Sequence, residues 1–315
     1  MLEGKILITG GSGFIGRGIM RQAIREKWPC EFTIYNRDEL KQDLCRSRFP
    51  NAEYVLGDVR DGEKLSLLLR FHDICIHAAA AKYVPQSAYN VNEFVNCNID
   101  GTRSLIMAAF NSKQLKCVVN LSTDKAVQPA NLYGLTKATV EHLFLEASRY
   151  PIGPRFVQTR YGNVIGSTGS VIPVLKRQYN ETGKVSLTDP TSTRFWQSVE
   201  EAVELIHYAV NVLNTGQLII PSARSLSLSD LACAVVPKAE QNIIGLRPGE
   251  KPHETLLQES ESVRSRSVET LDQEAYVYDP DDIAPHDSSF RVTSDVANSI
   301  SIEEFAKLAE ESERV

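Results

Sequence analysis

The chain has 315 residues, 42% of them hydrophobic and 23% charged, and a formal net charge of −6. That length suits one large α/β unit or a main domain with a smaller attachment, and the composition excludes global disorder. The acidic balance, without a long basic run, argues against nucleic acid as a partner, and no apolar run nears the ~20 residues of a membrane helix.

A soluble, cytoplasmic protein is expected, because no signal peptide precedes the first strand. The six cysteines, none in Cys-x-x-Cys, read as buried reduced thiols. Strand-length apolar runs then alternate with helical patterns. "KILITG" (5–10) is the first strand and "FIGRGIMRQAIREK" (14–27) the first helix. Further strands are expected at 31–36, 53–58, 74–79, 117–122 and 155–162, with helices at 62–70, 91–111 and 132–149. Continuous apolar strands alternating with helices predict a parallel sheet covered on both faces. Beyond residue 163 the pattern breaks up: a loop and helix (167–178), a short strand (184–189), an amphipathic helix (198–213), and shorter elements at 216–222 and 226–236. The segment 259–290 is polar and poorly periodic, so loops are expected there. Ser301 caps a terminal helix over 301–311.

The motif "ITGGSGFIG" places Gly10, Gly13 and Gly16 between a strand and a helix. Gly10 permits the tight turn, and Gly13 lets backbone approach a pyrophosphate at the helix N-terminus, with Ser12, Phe14 and Ile15 in the same loop. The second strand ends in Asn36 and Arg37, where an NAD-specific site carries an acid. A guanidinium there suits a ribose 2′-phosphate, with Lys41 assisting, so NADP is expected; NAD is the alternative, and Asp38 is the acid that would favour it. Asp58 and Val59 follow the third strand and are placed to meet the adenine. Ala78, Ala79 and Ala80 give a small-residue shelf after the fourth. The fold class expected is α/β, a Rossmann-type doubly wound parallel sheet. Residues 1–165 form the dinucleotide domain, with 191–222 supplying its last elements. Residues 166–190 and 223–315 form a smaller C-terminal substrate-binding lobe.

"STDKAVQPANLYGLTK" (122–137) sits where the fifth strand reaches its carboxyl end. Tyr133 and Lys137 lie one turn apart on the following helix. The ammonium is expected to lower the phenol's pKa, so that Tyr133 can take a hydroxyl proton while hydride leaves to nicotinamide. With the glycine loop and Thr123, this pattern resembles an extended short-chain dehydrogenase/reductase of the sugar-nucleotide type. Such an oxidation needs neither Asp124 nor Lys125. An adjacent acid and base would serve a second task, the elimination of water next to a new ketone.

"TIYNRDELKQ", "GDVRD", "HAAAAKYVPQSAYN", "TRYGNVIGSTGSVIP", "TRFW" and "GLRPGEKPHE" occur with that stretch in an order that resembles the inverting UDP-N-acetylglucosamine 4,6-dehydratases of pseudaminic-acid and capsule pathways. The resemblance implies that Tyr133 oxidises carbon 4 of the hexose, Lys125 removes the carbon 5 proton and Asp124 protonates the departing carbon 6 hydroxyl. It also implies that hydride returns to carbon 6, with the tightly bound NADP regenerated in each cycle, and that the protein is a homo-oligomer. A dimer through helices 91–111 and 132–149 is one arrangement. This chain departs from the family pattern at Ala81 (Leu), Tyr83 (His), Ala88 (an acid), Thr168 (Arg), Ser192 (Met) and Pro252 (Leu). Those segments are expected to face the sugar.

For the UDP-sugar, Lys82, Asn163, Thr168, Ser170 and Val171 are the candidate contacts, the last four around the loop "GSTGS" (166–170), which offers donors to a diphosphate. Arg194 and Arg247 are candidate phosphate clamps or else structural ion pairs. Glu250 is a further candidate substrate contact, with a role in ordering its loop as the other reading, and His253 reads as ordering the same loop. His77 reads as a structural histidine. No metal site is expected. The alternatives are a UDP-sugar 4-epimerase working through Tyr133 and Lys137 alone, a 5,6-dehydratase, and a non-catalytic dinucleotide-binding regulator.

Overall fold

The computed structural model describes residues 1–167, 169–271, 273–284 and 288–312; the candidate contact Thr168 lies outside them. Six parallel strands form the centre of the molecule: β1 (Gly4–Thr9), β2 (Cys30–Asn36), β3 (Glu53–Leu56), β4 (Ile74–His77), β5 (Cys117–Thr123) and β6 (Arg155–Tyr161). They lie in the order β3-β2-β1-β4-β5-β6. Their apolar character follows from burial on both faces; every residue of β5 is buried. Helices Phe14–Glu26 and Val199–Asn211 pack on one face, whereas Gly62–Leu69, Gly101–Phe110 and Leu132–Ser148 cover the other. Chain order reverses between β1 and β4, and that switch point opens a crevice at the strands' carboxyl ends. The doubly wound α/β fold expected from the sequence is present.

Beyond β6 the sheet is extended by Leu218–Pro221, parallel to β6, and then by an antiparallel hairpin of Glu274–Tyr278 and Ser265–Glu269. Loops were expected over this hairpin. It sits at the sheet edge with only Ala275 and Val277 of its inner strand fully buried, so alternate residues are polar and the period is hidden. The helix expected over 91–111 is also different in detail. It is interrupted by a wide π-helical stretch, Val95–Asp100. From that stretch the buried Asn98 accepts from Ala81 N at 2.7 Å, and its amide donates to Ala81 O at 2.9 Å and Thr136 Oγ1 at 2.9 Å. It thereby ties the segment after β4 to the Tyr133 helix.

Strands Asn163–Val164, Thr193–Gln197 and Arg224–Ser227 form a second sheet over the crevice. Strand Lys184–Leu187 pairs in parallel with Glu240–Ile243. Helices Val171–Thr182, Leu228–Val235 and Ile302–Ser312 enclose a separate core of Leu175, Leu187, Trp196, Leu231 and Phe305. Ser301 accepts from Glu304 N at 3.0 Å, the cap read from the sequence.

The two parts are joined beside β5 and β6 by Arg160, which is 3% exposed. Its guanidinium donates to both oxygens of Glu141 at 3.0 and 2.6 Å, to both oxygens of Glu261 at 2.9 and 2.8 Å, and to Leu256 O at 2.9 Å. A buried cation shared by two carboxylates cannot be removed without stranding both charges. Arg160→Met is therefore expected to lower stability by about 3–5 kcal/mol, read as a shift in the urea midpoint. An unchanged midpoint would contradict this linkage.

Candidate functional site

A cleft of about 1020 Å³ runs along the carboxyl ends of β1, β2, β4 and β5 and under the second sheet. At its inner end Gly10 adopts φ +68, and a Cβ there would lie 2.8 Å from the Ala79 backbone. The glycine turn and the Ala78–Ala80 shelf thus approach more closely than a side chain permits. Gly13 precedes helix Phe14–Glu26 without a side-chain cap, which leaves the first-turn N–H groups for an anion. Ser12, Phe14, Ile15 and Gly16 line the same floor. This cradle fits a dinucleotide pyrophosphate.

At the end of β2, Asn36 Oδ1 is buried with no partner among the described residues. Arg37 Nη1 is 2.7 Å from Glu93 Oε1 and 3.5 Å from Asp58 Oδ2. Lys41 Nζ is 2.9 Å from Asp38 Oδ2, and Asp38 also caps the helix Glu39–Arg48. Both cations read as 2′-phosphate ligands are therefore paired with carboxylates, and Glu93 is a partner that sequence reading did not name. Asp58 and Val59 line the cleft here, with Asp58 held by Arg60.

Further along, β5 delivers Thr123 into a short 3₁₀ turn, Asp124–Ala126. Asp124 is fully buried. Its Oδ1 accepts from Thr123 Oγ1 at 2.9 Å and from Lys125 Nζ at 3.0 Å. Its Oδ2 has no partner among the described residues. Lys125 Nζ also lies 3.5 Å from Asn163 Oδ1 and 3.7 Å from Glu254 Oε1. Burial favours the neutral amine, but the charges of Asp124 and Glu254 outweigh it and raise the Lys125 pKa.

Asn131 caps the helix Leu132–Ser148, accepting from Gly134 N at 3.0 Å, and so fixes Tyr133 and Lys137 over β5. Gly134 is required by contact: a Cβ there would lie 2.2 Å from Lys125 O. The helix thus lies directly against the turn that carries Asp124 and Lys125. The sequence reading has Lys137 lowering the Tyr133 phenol. Here burial dominates and pushes that phenol up to about 12, with Lys125 and Thr123 lowering it and Asp124 raising it. Lys137 is itself pushed down to about 8 by burial, against the opposing charge of Glu141, and its Nζ donates to Asn120 Oδ1 at 3.4 Å. His77 bonds Thr9 Oγ1 at 2.8 Å and Thr102 Oγ1 at 2.9 Å, and burial lowers its pKa to about 3, so it stays neutral as a structural residue.

At the outer end, Lys82, Asn163, Ser170, Val171, Arg247 and Glu250 face the cleft. Ser170 Oγ is buried without a partner among the described residues. Arg194 also lines the cleft, but it donates to Glu250 Oε1 at 3.0 Å and to the carbonyls of Thr193 and Pro252 at 2.8 and 2.9 Å. Glu250 further accepts from Thr188 Oγ1 at 2.9 Å, so this pair orders the loop 247–252, while Arg247 is exposed at the mouth of the cleft. His253 has the same ordering role through Thr193 Oγ1 at 2.8 Å. Two residues of this loop escaped sequence reading. Glu254 is 4% exposed behind Lys125, and Lys251 Nζ is 2.8 Å from its Oε2. The only local signal was their i,i+3 spacing in "EKPHE". Among the described residues, no cluster of His, Cys and carboxylates could hold a metal, and no helix is long and apolar enough to cross a membrane.

A glycine cradle at the switch point, with Tyr133 and Lys137 over the adjoining strand, defines a short-chain dehydrogenase/reductase type of protein. The chain belongs to the polysaccharide biosynthesis protein family, which it matches over residues 6–275. It is 42% identical over 262 residues to the UDP-N-acetylglucosamine 4,6-dehydratase (inverting) of Campylobacter jejuni serotype O:2, covering 82% of this chain and 78% of that protein. It is 34% identical to a UDP-glucose 4-epimerase of Rickettsia bellii, over 84% of this chain and 80% of that one. Among solved structures, Pen from Bacillus thuringiensis matches with a TM-score of 0.89 at 32% identity, over 98% of this chain and 97% of that one. The dTDP-glucose 4,6-dehydratase DesIV of Streptomyces venezuelae, solved with NAD, shares the fold at a TM-score of 0.71 and 22% identity, over 78% and 86%.

Because the Asp124–Ala126 turn and the Tyr133 helix touch through Gly134, Gly134→Ala is expected to cost about 1–3 kcal/mol by overpacking. It should also speed hydrogen exchange at Asp124–Ala126 while leaving β1 protected. Equal exchange in both proteins would contradict this contact.

Proposed function

We propose that the protein is an NADP-dependent, C5-inverting UDP-N-acetylglucosamine 4,6-dehydratase, a lyase that forms a 4-keto-6-deoxy sugar nucleotide. The observation that carries the reading is the buried Asp124–Lys125 pair at the end of β5, beside Tyr133. An oxidation alone has no use for Asp124, whose charge raises the phenol's pKa and works against the phenolate.

The glycine loop, the Ala78–Ala80 shelf and the β2 end would hold the dinucleotide, with Arg37 and Lys41 turning from Glu93 and Asp38 toward a 2′-phosphate. When bound, that group supplies a hydride acceptor at carbon 4 and a donor at carbon 6. Tyr133 would take the carbon 4 hydroxyl proton as its phenolate, the form that the Lys125 cation and the Thr123 hydroxyl favour against burial. The ketone acidifies the carbon 5 proton.

Lys125 rests as a cation and cannot act as a base in that state. Its hydrogen bond to Asp124 provides the remedy. Transfer of one proton from Nζ to Oδ1 turns the ion pair into an amine and a carboxylic acid, and exclusion of water by bound substrate favours that neutral pair. The amine removes the carbon 5 proton, and Asp124 gives its proton to the leaving carbon 6 hydroxyl, so one water departs. Hydride would then return to carbon 6, and the proton held by Tyr133 would pass to the face of carbon 5 opposite Lys125, which restores the phenolate and leaves Lys125 a cation and Asp124 a carboxylate. Arg247 and the first turn of helix Val171–Thr182 would bind the diphosphate.

Lys125→Ala is the discriminating variant. Absorbance at 340 nm after mixing with UDP-N-acetylglucosamine should show reduced nicotinamide forming, more slowly than in the wild type because the cation beside the phenol is lost, while the dehydrated product falls by about 10²–10⁴-fold. An epimerase that relies on Tyr133 and Lys137 alone would keep turning over, and that result would overturn the dehydratase reading.

For the cofactor, Arg37→Ala is expected to weaken NADP binding by about tenfold or more, because a charge-assisted phosphate contact is lost, and to leave NAD binding within about twofold. Calorimetric titration with each dinucleotide checks this. Equal losses for both would argue against a 2′-phosphate at Arg37.

A further inference from the structure

Behind the Asp124–Lys125 pair stands a second buried pair. Glu254 Oε1 lies 3.7 Å from Lys125 Nζ, and its Oε2 lies 2.8 Å from Lys251 Nζ. Four charges thus run in sequence: Asp124, Lys125, Glu254, Lys251. Glu254 is fixed by its backbone. Its N–H donates to Ser294 Oγ at 2.9 Å, and its carbonyl accepts from Ser294 N at 2.9 Å. Lys251 is fixed by donating to Val127 O at 3.1 Å, on the loop that follows the catalytic turn. Asn131 Nδ2 also donates to Gly249 O at 3.1 Å, closing the same seam from the Tyr133 helix.

We propose that Glu254 and Lys251 are positioning residues that set where the proton rests in the Asp124–Lys125 pair, and so set the pH range of the elimination. This rests on the dehydratase reading above. The groups that face Lys125 are Asp124 on its own turn, Tyr133 on the helix, Asn163 and Arg194 on the second sheet, and Glu254 on the loop. Of these, Asp124 has a role in the chemistry and Arg194 is occupied by Glu250. Glu254 is the other carboxylate beside the ammonium, and it does not line the cleft. Lys251 faces its other oxygen and partly cancels its charge. The signs follow from Coulomb's law. Removing the Glu254 charge makes the pair release its protons at lower pH. Removing Lys251 leaves Glu254 uncompensated and makes the pair hold its protons to higher pH.

The test is the pH profile of deuterium incorporation at carbon 5 of UDP-N-acetylglucosamine in deuterated buffer, read by proton NMR. It is measured for the wild type, Glu254→Gln, Glu254→Asp and Lys251→Met, each loaded with cofactor. Glu254→Gln should move the whole profile about 1 pH unit lower, Lys251→Met should move it higher, and Glu254→Asp should stay near the wild type. A merely structural pair would lower the rate of both variants without moving their profiles in opposite directions. Profiles that coincide with the wild type overturn the inference, and so does a shift of both in the same direction. If Glu254→Gln does not fold, the direction of the Lys251→Met shift decides alone. A wild type that incorporates no deuterium and forms no product overturns the dehydratase reading itself, which is a distinct outcome.

Discussion

The account depends on one buried ion pair. Asp124 has no exposed surface, and Lys125 has little. Taking both charges out of water is costly, and they are retained only where the geometry around them is tight. The strand β5 ends, the chain turns at once through Asp124–Ala126, and the Tyr133 helix lies directly over that turn. Gly134 makes that contact possible, since a methyl group there would strike the Lys125 carbonyl. The loop 249–254 closes the far side. The same low-dielectric setting that makes the pair expensive makes a proton shift within it easy, which is the property that an elimination requires.

This setting also explains why the resting electrostatics differ from the pattern read off the sequence. A lysine four residues after a tyrosine suggests a lowered phenol pKa. In the folded protein burial is the largest influence on the phenol, and Lys137 is itself depressed by burial. The Lys125 charge offsets part of the phenol's shift. In the proposed mechanism Lys125 would thus hold a proton for the elimination and favour the phenolate for the oxidation.

Much of the fold and part of the site were legible in the sequence, for local reasons. The glycine turn and the first five strand–helix alternations are written in contiguous residues, because a buried parallel strand must be apolar throughout. Tyr133, Lys137, Asp124 and Lys125 all lie within 15 residues, 123–137, on a strand end and a helix start. What was not legible depends on contacts distant in sequence. Glu254 meets Lys125 across a gap of more than a hundred positions, and Glu93 reaches Arg37 from another helix. Arg194 is a candidate phosphate clamp from its place in the sequence, yet in the fold it pairs with Glu250. The hairpin 265–278 failed the strand pattern because an edge strand needs only alternate apolar residues. Of the departures, Ala81 lies on the segment tied by Asn98 to the Tyr133 helix, and Tyr83 lines the cleft two residues further on.

The most direct measurement is proton NMR of the purified protein with UDP-N-acetylglucosamine in deuterated water, with NADP present. The account predicts a new methyl resonance from carbon 6, a ketone or its hydrate at carbon 4, and deuterium at a carbon 5 of inverted configuration. A product that keeps its carbon 6 hydroxyl and its carbon 5 proton, changed only at carbon 4, would show that Asp124 and Lys125 do not carry out an elimination and would contradict the account.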